Sequence, residues 1–131
     1  MNDNKRDGNK FEREFCELLS QYGFWVHNMA QNQSGQPADV IAVRDRLAYL
    51  IDCKVCHGRF ALSRIEDNQH YAMQRWSNCG NNDGWFALKV DDDIYMLQRF
   101  VLEELKDEKS SLNMVDIRTY GIPFDRWLTL C

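Results

Sequence analysis

An acid and a base share one face of a stretch that otherwise has the composition of a buried strand, residues 49–55. Side chains alternate along a strand, so Asp52 and Lys54 must emerge on the same side. Burying such groups costs free energy unless they are paired or bind a metal. A second apolar run, residues 37–43, offers another carboxylate, Asp39, near its start. Together the two runs predict adjacent strands that present carboxylate oxygens, the ligands that Mg²⁺ prefers.

The elements that must position these side chains follow from hydrophobic periodicity and turn signals. We predict helices at residues 7 or 8 to 22, 63 to about 78 and 100–106, strands at 24–29, 38–44, 47–55, 85–90 and 94–97, a polar loop at 31–37, and turns at 45–46 and 91–93. The order α-β-β-β-α-β-β-α predicts an α/β fold, bordering on α+β, with a mixed sheet of about five strands flanked by helices. For the last part of the chain we predict a loop at 107–111, a short strand at 114–117 and a helical turn at 125–128.

Two of the predicted helices carry polar residues whose role is not decided by hydrophobic periodicity. Glu12 and Glu14 flank the apolar stripe of the first helix on opposite sides, and the helical wheel does not choose between them. Residues 63–66, Ser-Arg-Ile-Glu, have the spacing of a capping box. Gln69 lies near the centre of the second apolar stripe, where a buried amide needs a partner. Backbone groups or a functional site could each provide that partner, while His70 is predicted to lie on the surface.

Length and composition predict one folded domain. The chain has 131 residues, with 44% hydrophobic and 12% aromatic residues, which suits a single core. We expect one domain over residues 1–131, with a core at 8–97 and a C-terminal extension at 98–131. No apolar stretch approaches the ~18–20 residues that cross a bilayer. The polar N-terminus lacks the apolar region of a signal peptide, so we expect a cytoplasmic protein.

Charge argues weakly against a nucleic-acid partner. The formal net charge is −4 and the sequence pI is about 5.3, whereas nucleic-acid-binding proteins usually present a basic surface. Acids that bind a divalent cation would not repel DNA in the same way, because the bound ion reverses the local sign. Basic residues also cluster near the start and in the middle of the chain, at Lys5, Arg6, Lys10, Arg13, Arg44, Arg46, Lys54, Arg59 and Arg64.

The five cysteines do not indicate a disulfide framework, because their number is odd and their spacing irregular. Cys53-x-x-Cys56-His57 could suggest zinc or a redox pair. However, Cys53 falls on the strand face opposite Asp52, and no second ligand pair completes a four-ligand zinc site. We therefore predict no zinc site.

Four groups of residues, in their order along the chain, resemble the PD-(D/E)xK nuclease superfamily, and within it the Holliday junction resolvases of the archaeal and RecU types. They are Gly8-x-x-x-Glu12-Arg13, Ser34-Gly35 with Pro37-x-Asp39-Val40-Ile41, Ile51-Asp52-Cys53-Lys54, and Phe60-Ala61-Leu62-Ser63-x-Ile65-x-x-x-Gln69. The resemblance spans roughly residues 8–97. An Asp-x-Lys pair alone occurs by chance in many proteins, and the ordered set across helix, strand, strand and helix carries the resemblance.

The resemblance implies a restriction-endonuclease-like core and a metal-dependent DNA endonuclease acting on branched DNA. The implied ligands of Mg²⁺, or of Mn²⁺, are Asp39, Asp52, the backbone carbonyl of Cys53, and Glu12. Lys54 would orient or activate the attacking water, and Gln69 would hold the lysine or the water. The implied DNA-binding residues are Lys10, Arg13, Ser34, Arg59 and Arg64. Two symmetric cuts in a four-way junction imply a homodimer.

The sequence departs from the family pattern at three places. Ala38 separates Pro37 from Asp39, Asp52 stands where these resolvases usually have glutamate, and the turn at 45–46 is too short for the stalk of RecU-type enzymes. The last departure leaves the DNA target open, so the alternatives are a restriction or repair nuclease with another target, or a non-catalytic nucleic-acid-binding or interaction domain on the same fold.

Overall fold

The structure is a computed structural model that describes residues 3–29 and 38–131. Its helices are α1 (Asp3–Gln21), α2 (Asp67–Asn78), α3 (Arg99–Leu105), α4 (Met114–Tyr120) and α5 (Phe124–Leu130). Its strands are β1 (Trp25–Asn28), β2 (Val40–Arg44), β3 (Leu47–Cys56), β4 (Arg59–Ala61), β5 (Trp85–Val90), β6 (Asp93–Gln98), β7 (Ser111–Asn113) and β8 (Ile122–Pro123). A short 3-10 helix, Leu62–Arg64, precedes α2. The described part of the chain thus keeps the predicted order through α3 and adds β4.

The main sheet is mixed, with the strand order β1-β2-β3-β5-β6-β8. The central pair, β3 and β5, is parallel, and the other neighbours are antiparallel. β2 and β3 form the predicted hairpin, whose turn residues Asp45 and Arg46 have φ values of 54° and 71°. A separate two-stranded ribbon joins β4 to β7. The mixed sheet flanked by helices confirms the predicted fold class and places β3, with its acid and lysine, at the centre.

Each face of the sheet has its own hydrophobic core. On one face, α1 and α5 contribute Phe15 and Trp127, which pack with strand residues such as Ile51. On the other face, α2, α3 and α4 cover the sheet with residues such as Met73 and Leu102. Because Ile51 belongs to the first core, the alternation of β3 directs Asp52 to the second face.

The residues predicted as a C-terminal extension belong to both cores. Ile117 of α4 packs on one face, and Phe124 and Trp127 of α5 pack on the other. β8 also adds an edge strand, because Ile122 pairs with Met96 of β6. The end of the chain is therefore a structural part of the sheet and its cores.

The prediction of a strand at residues 114–117 was wrong, because these residues begin α4. Asn113 is the N-cap: its side-chain oxygen accepts a hydrogen bond from the backbone N–H of Asp116 at 2.9 Å. Asp116 in turn accepts from the backbone N–H of Asn113 at 3.0 Å. This reciprocal capping starts a helix, even though Val115 and Ile117 favour a strand.

Three further predictions need correction. Ser63 is not the N-cap of α2, because it lies within the 3-10 helix and the cap is Glu66. α1 begins at Asp3, before the predicted residue 7 or 8. His70 is 7% exposed and not on the surface. Its Nδ1 lies 2.9 Å from Glu103 Oε2, and that contact across α2 and α3 is not visible in the wheel of α2 alone.

Candidate active site

A cleft of about 680 Å³ opens where β3 meets α1 and α2. All five predicted catalytic side chains line it: Glu12, Asp39, Asp52, Lys54 and Gln69. They come from four separate segments of the chain, so only the fold brings them together.

The backbone of β3 holds Asp39 in place. The backbone N–H of Asp39 donates to the carbonyl of Ile51 at 3.1 Å, which extends the β2–β3 ladder by one step. Its carboxylate oxygen Oδ2 accepts the backbone N–H of Cys53 at 2.8 Å. Asp39 is therefore held against the β3 backbone on both sides of Asp52, through Ile51 and Cys53.

Asp52 and Lys54 emerge on one face of β3, as strand alternation predicts. The ammonium Nζ of Lys54 lies 3.1 Å from Asp52 Oδ2. Asp52 is 2% exposed. Burial raises the pKa of this carboxyl well above its usual value, and the nearby charge of Asp39 raises it further, whereas Lys54 lowers it. The floor of the cleft is thus short of positive charge even with the lysine present.

Glu12 is the acid of α1 that joins this group. It is 6% exposed and shares a hydrogen bond with Asp39. Burial and the charge of Asp39 raise the pKa of Glu12 to about 7. Glu14, by contrast, is exposed and forms an ion pair with Lys10 at 3.8 Å. Packing of α1 against the sheet settles the choice that the wheel left open.

Gln69 has a structural partner and also faces the cleft. Its Oε1 accepts the backbone N–H of Glu66 at 3.2 Å, at the first turn of α2. This hydrogen bond fixes the orientation of the amide, so that Gln69 is an anchored side chain in the wall of the cleft. This position is compatible both with an amide whose partner is a backbone group and with a role in a functional site.

The carboxylate oxygens of Glu12, Asp39 and Asp52 are the type of ligand that a hard cation such as Mg²⁺ prefers. Across residues 3–29 and 38–131, no group of three or more His, Cys, Asp and Glu side chains is arranged to hold a metal ion. Protein donors already contact two of the oxygens, since Lys54 faces Asp52 and the Cys53 N–H binds Asp39. However, the pKa values of Glu12 and Asp52 stay raised, so Lys54 does not offset the burial and crowding of these carboxylates. Mg²⁺ needs only one or two carboxylates, because it retains several waters, so this donor set fits such an ion.

The predicted DNA-binding residues do not all reach the cleft. Arg59 and Arg64 line it. Arg59 Nη1 donates to Ser111 Oγ at 2.6 Å, and Arg64 Nη1 donates to the carbonyl of Val55 at 2.7 Å. Lys10 and Arg13 are exposed on α1 and lie outside the residues that line the cleft. Ser34 lies outside the described residues.

Sequence reasoning missed two polar residues of the cleft wall, Asp7 and His57. Asp7 lies five positions before Glu12, and His57 directly follows β3. A search for polar residues up to five positions from the predicted acids could have found both. Asp7 adds to the negative charge of the site, which strengthens its need for a cation.

Comparison with known proteins decides the family. The family model described as archaeal Holliday junction resolvase (Hjc) matches residues 3–130. The chain belongs to the archaeal Holliday junction resolvase family. This membership confirms the predicted family and the predicted function, an endonuclease for branched DNA. Resolvase nucleases of this kind generally depend on a divalent metal.

The fold agrees with that of a solved resolvase. The structure of Archaeoglobus fulgidus Hjc, a Holliday junction resolvase from an archaeal hyperthermophile, matches with a TM-score of 0.68 and 15% sequence identity. The match covers 94% of this chain and 96% of the other. None of the curated proteins compared with the chain matches it. In the described part of the chain, no helix is both long enough and apolar enough to span a membrane.

Proposed function

We propose that the cleft containing Glu12, Asp39, Asp52 and Lys54 cleaves four-way DNA junctions with the help of Mg²⁺. The observation that carries this proposal is the contact among carboxylates from α1, the start of β2 and β3, with a lysine beside them. A purely structural site would have no use for a cluster in which burial and the charge of Asp39 raise the pKa values of Glu12 and Asp52. Mn²⁺ has similar ligand preferences and would substitute.

The ligands of the ion would be Asp39, Asp52, Glu12 and the backbone carbonyl of Cys53. When bound, a divalent ion polarises phosphoryl oxygens and lowers the pKa of a coordinated water. Lys54, held by Asp52 at 3.1 Å, would donate hydrogen bonds to the phosphate, where negative charge accumulates during hydrolysis. Gln69, anchored through Oε1 to α2, would keep Lys54 or the attacking water in position.

Arg59 and Arg64 would bind the phosphates on either side of the bond that is cut. Both guanidinium groups line the cleft, and arginine suits phosphate because its donors form a planar fork. Their hydrogen bonds to Ser111 and Val55 each use Nη1. The protein contacts therefore orient each side chain without using its complete set of donors.

We further propose that the active form is a homodimer. A four-way junction must be cut on two strands, which calls for two sites, and two-fold dimers are the commonest assembly. We also propose that residues 1–131 form a single domain, because residues from both ends pack in the same cores. Its DNA substrate would place the protein in the cytoplasm.

Cleavage of purified DNA tests this function. Wild-type protein would be incubated with a four-way junction and with a linear duplex of the same sequence, with Mg²⁺, with Mn²⁺ and with a chelator. We expect cleavage of the junction that requires the added metal. Lys54→Ala should abolish cleavage, whereas Arg126→Ala, at an exposed position of α5 outside the cleft lining, should lose little. Metal-independent cleavage would contradict the proposed role of the ion, and equal cleavage of the linear duplex would contradict junction specificity.

A non-catalytic role is the second candidate, because the described side chains include no ready-made metal site. It predicts binding of the junction without cleavage under every metal condition. Native gel electrophoresis of the same mixtures distinguishes the two functions.

A further inference from the structure

Gly8 lies in the wall of the cleft, within α1. It precedes Glu12 by four residues, so the two positions share one face of the helix. Four residues advance an α-helix by about 6 Å. The backbone at Gly8 therefore borders the space in front of the acids, at about one helical turn from the Glu12 backbone.

Neither the backbone conformation of Gly8 nor its described neighbours require glycine at this position. Gly8 has no positive φ, unlike Gly23, Gly58 and Gly80. A Cβ built on Gly8 meets no described atom within 4 Å. Gly84 shows the opposite case, because a Cβ there would collide with the side chain of Met73.

Glycine is also a poor choice for a helix interior. It loses more backbone entropy on folding than alanine does and has a much lower helix propensity. The helix would gain stability from alanine at position 8, with open space to receive the methyl group. A residue that weakens its own helix at the wall of an active-site cleft, with no packing reason among residues 3–29 and 38–131, indicates a demand from outside the protein.

We propose that Gly8 leaves room for a deoxyribose of the strand that is cut, which passes directly against the backbone of α1. This inference rests on the proposed function. The neighbouring carboxylate of Asp7 also lines the cleft and disfavours a phosphate here, so the uncharged sugar is the part of the nucleotide that fits. A side chain at position 8 would push the strand away from Glu12 and Lys54. A displacement of about 1 Å is enough to slow catalysis by about 100-fold.

The test combines stability with activity. Gly8→Ala and Gly8→Leu would be compared with the wild type and with Asn9→Ala, which changes an exposed neighbour on α1 outside the cleft wall. We expect Gly8→Ala to raise the Tm by roughly 2–4 °C and to lower kcat/KM for junction cleavage about 10- to 100-fold. Gly8→Leu should lower it further, and Asn9→Ala should cleave at the wild-type rate.

Two results would overturn the inference. One is wild-type cleavage by Gly8→Ala. The other is a fall in Tm that accompanies the loss of activity, which would mean that the fold needs this glycine.

Failure of the proposed function looks different, because then the wild type itself does not cleave. In that case, affinity for the same junction without metal becomes the readout. Weaker binding by both Gly8 variants but not by Asn9→Ala would support the role of Gly8, and equal binding would overturn it. If the wild type neither binds nor cleaves the junction, both proposals are overturned.

Discussion

At the scale of single residues, the site consists of carboxylates whose negative charges are destabilised by burial and by one another. Asp39 contacts both neighbours: it shares hydrogen bonds with Glu12 and with Asp52. The backbone N–H of Cys53 fixes its orientation. Such an arrangement costs stability in the absence of a cation, and it is the kind of local conflict that marks a functional site.

The two glutamates of α1 provide a matched pair for mutation. Glu12→Gln should lower junction cleavage by roughly 100-fold or more, because an amide removes a negative ligand from the proposed metal site. Its Tm should stay level or rise, since the change relieves repulsion with Asp39. Glu14→Gln, on the exposed side, should leave both quantities close to the wild type. Single-turnover cleavage and thermal denaturation check these outcomes, and equal loss in the two variants would contradict the assignment of Glu12.

The limits of sequence reasoning differ among these residues. The strand period of two was enough to place Asp52 and Lys54 on one face. The choice between Glu12 and Glu14 was not decidable from the residues of α1, because it depends on how the helix packs against β3. His70 was placed wrongly for the same reason: its partner, Glu103, comes from another helix. Contacts between elements are absent from a helical wheel.

At the scale of elements, local patterns predicted the central part of the fold well. The strands that became β2, β3, β5 and β6 carry apolar runs bounded by turn residues, and those signals are strong. After α3 the elements are short, and their type depends on caps. The reciprocal hydrogen bonds between Asn113 and Asp116 decide that α4 is a helix, and the three apolar residues among 114–117 carry less information than this cap.

The contact between α2 and α3 should make stability depend on pH. Burial lowers the pKa of His70 below its usual 6.5, although the charge of Glu103 opposes this shift. Between the lowered value and 6.5 the unfolded chain binds more protons than the folded one, so acidification favours unfolding. The stability from neutral His70 is complete above about pH 7.5 and is lost as the pH falls through 6.5 toward the lowered pKa.

Comparison with His70→Gln isolates this effect. Glu12 has a pKa that is raised to about 7, so acidification over part of the same pH range favours the folded state through this residue. Glu12 is present in both proteins and does not affect their comparison. Denaturant unfolding at pH 7.5 and 5.5 should show that the wild type loses more stability, or gains less, than His70→Gln. Equal changes in the two proteins would mean that His70 does not titrate as its burial requires.

At the scale of the whole molecule, the end of the chain closes the core beneath the site. Trp127 of α5 is 1% exposed. It packs against four aromatic rings with centroid distances of 5.5–5.9 Å: Phe24, Tyr49, Trp85 and Phe124. The sequence suggested only a helical turn here and gave no sign that this tryptophan packs against Phe24, Tyr49 and Trp85, which are distant in the chain. Long-range packing of this kind becomes visible only when the sheet is assembled.

Two tryptophans test the structural role of the C-terminal residues. Trp127→Ala should lower the free energy of unfolding by about 3–5 kcal/mol, because it leaves a large cavity in the core. Trp25→Ala, at a position that is 63% exposed, should cost less than about 1 kcal/mol. Chemical denaturation measures both values. A cost for Trp127→Ala as small as that for Trp25→Ala would contradict the proposal that the C-terminal helix is part of the single domain.

We propose that the buried carboxylate of Asp52 belongs to the catalytic machinery and is not needed for folding. The most direct measurement is metal-dependent cleavage of a four-way junction by Asp52→Asn, with Tm and junction affinity measured on the same preparation. We predict a folded protein with a Tm at or above that of the wild type, since the change removes a buried carboxyl whose pKa is raised. It should still bind the junction, and its cleavage should fall by at least about 100-fold. Cleavage at the wild-type rate by a folded Asp52→Asn protein would contradict the assignment of this cleft as the active site.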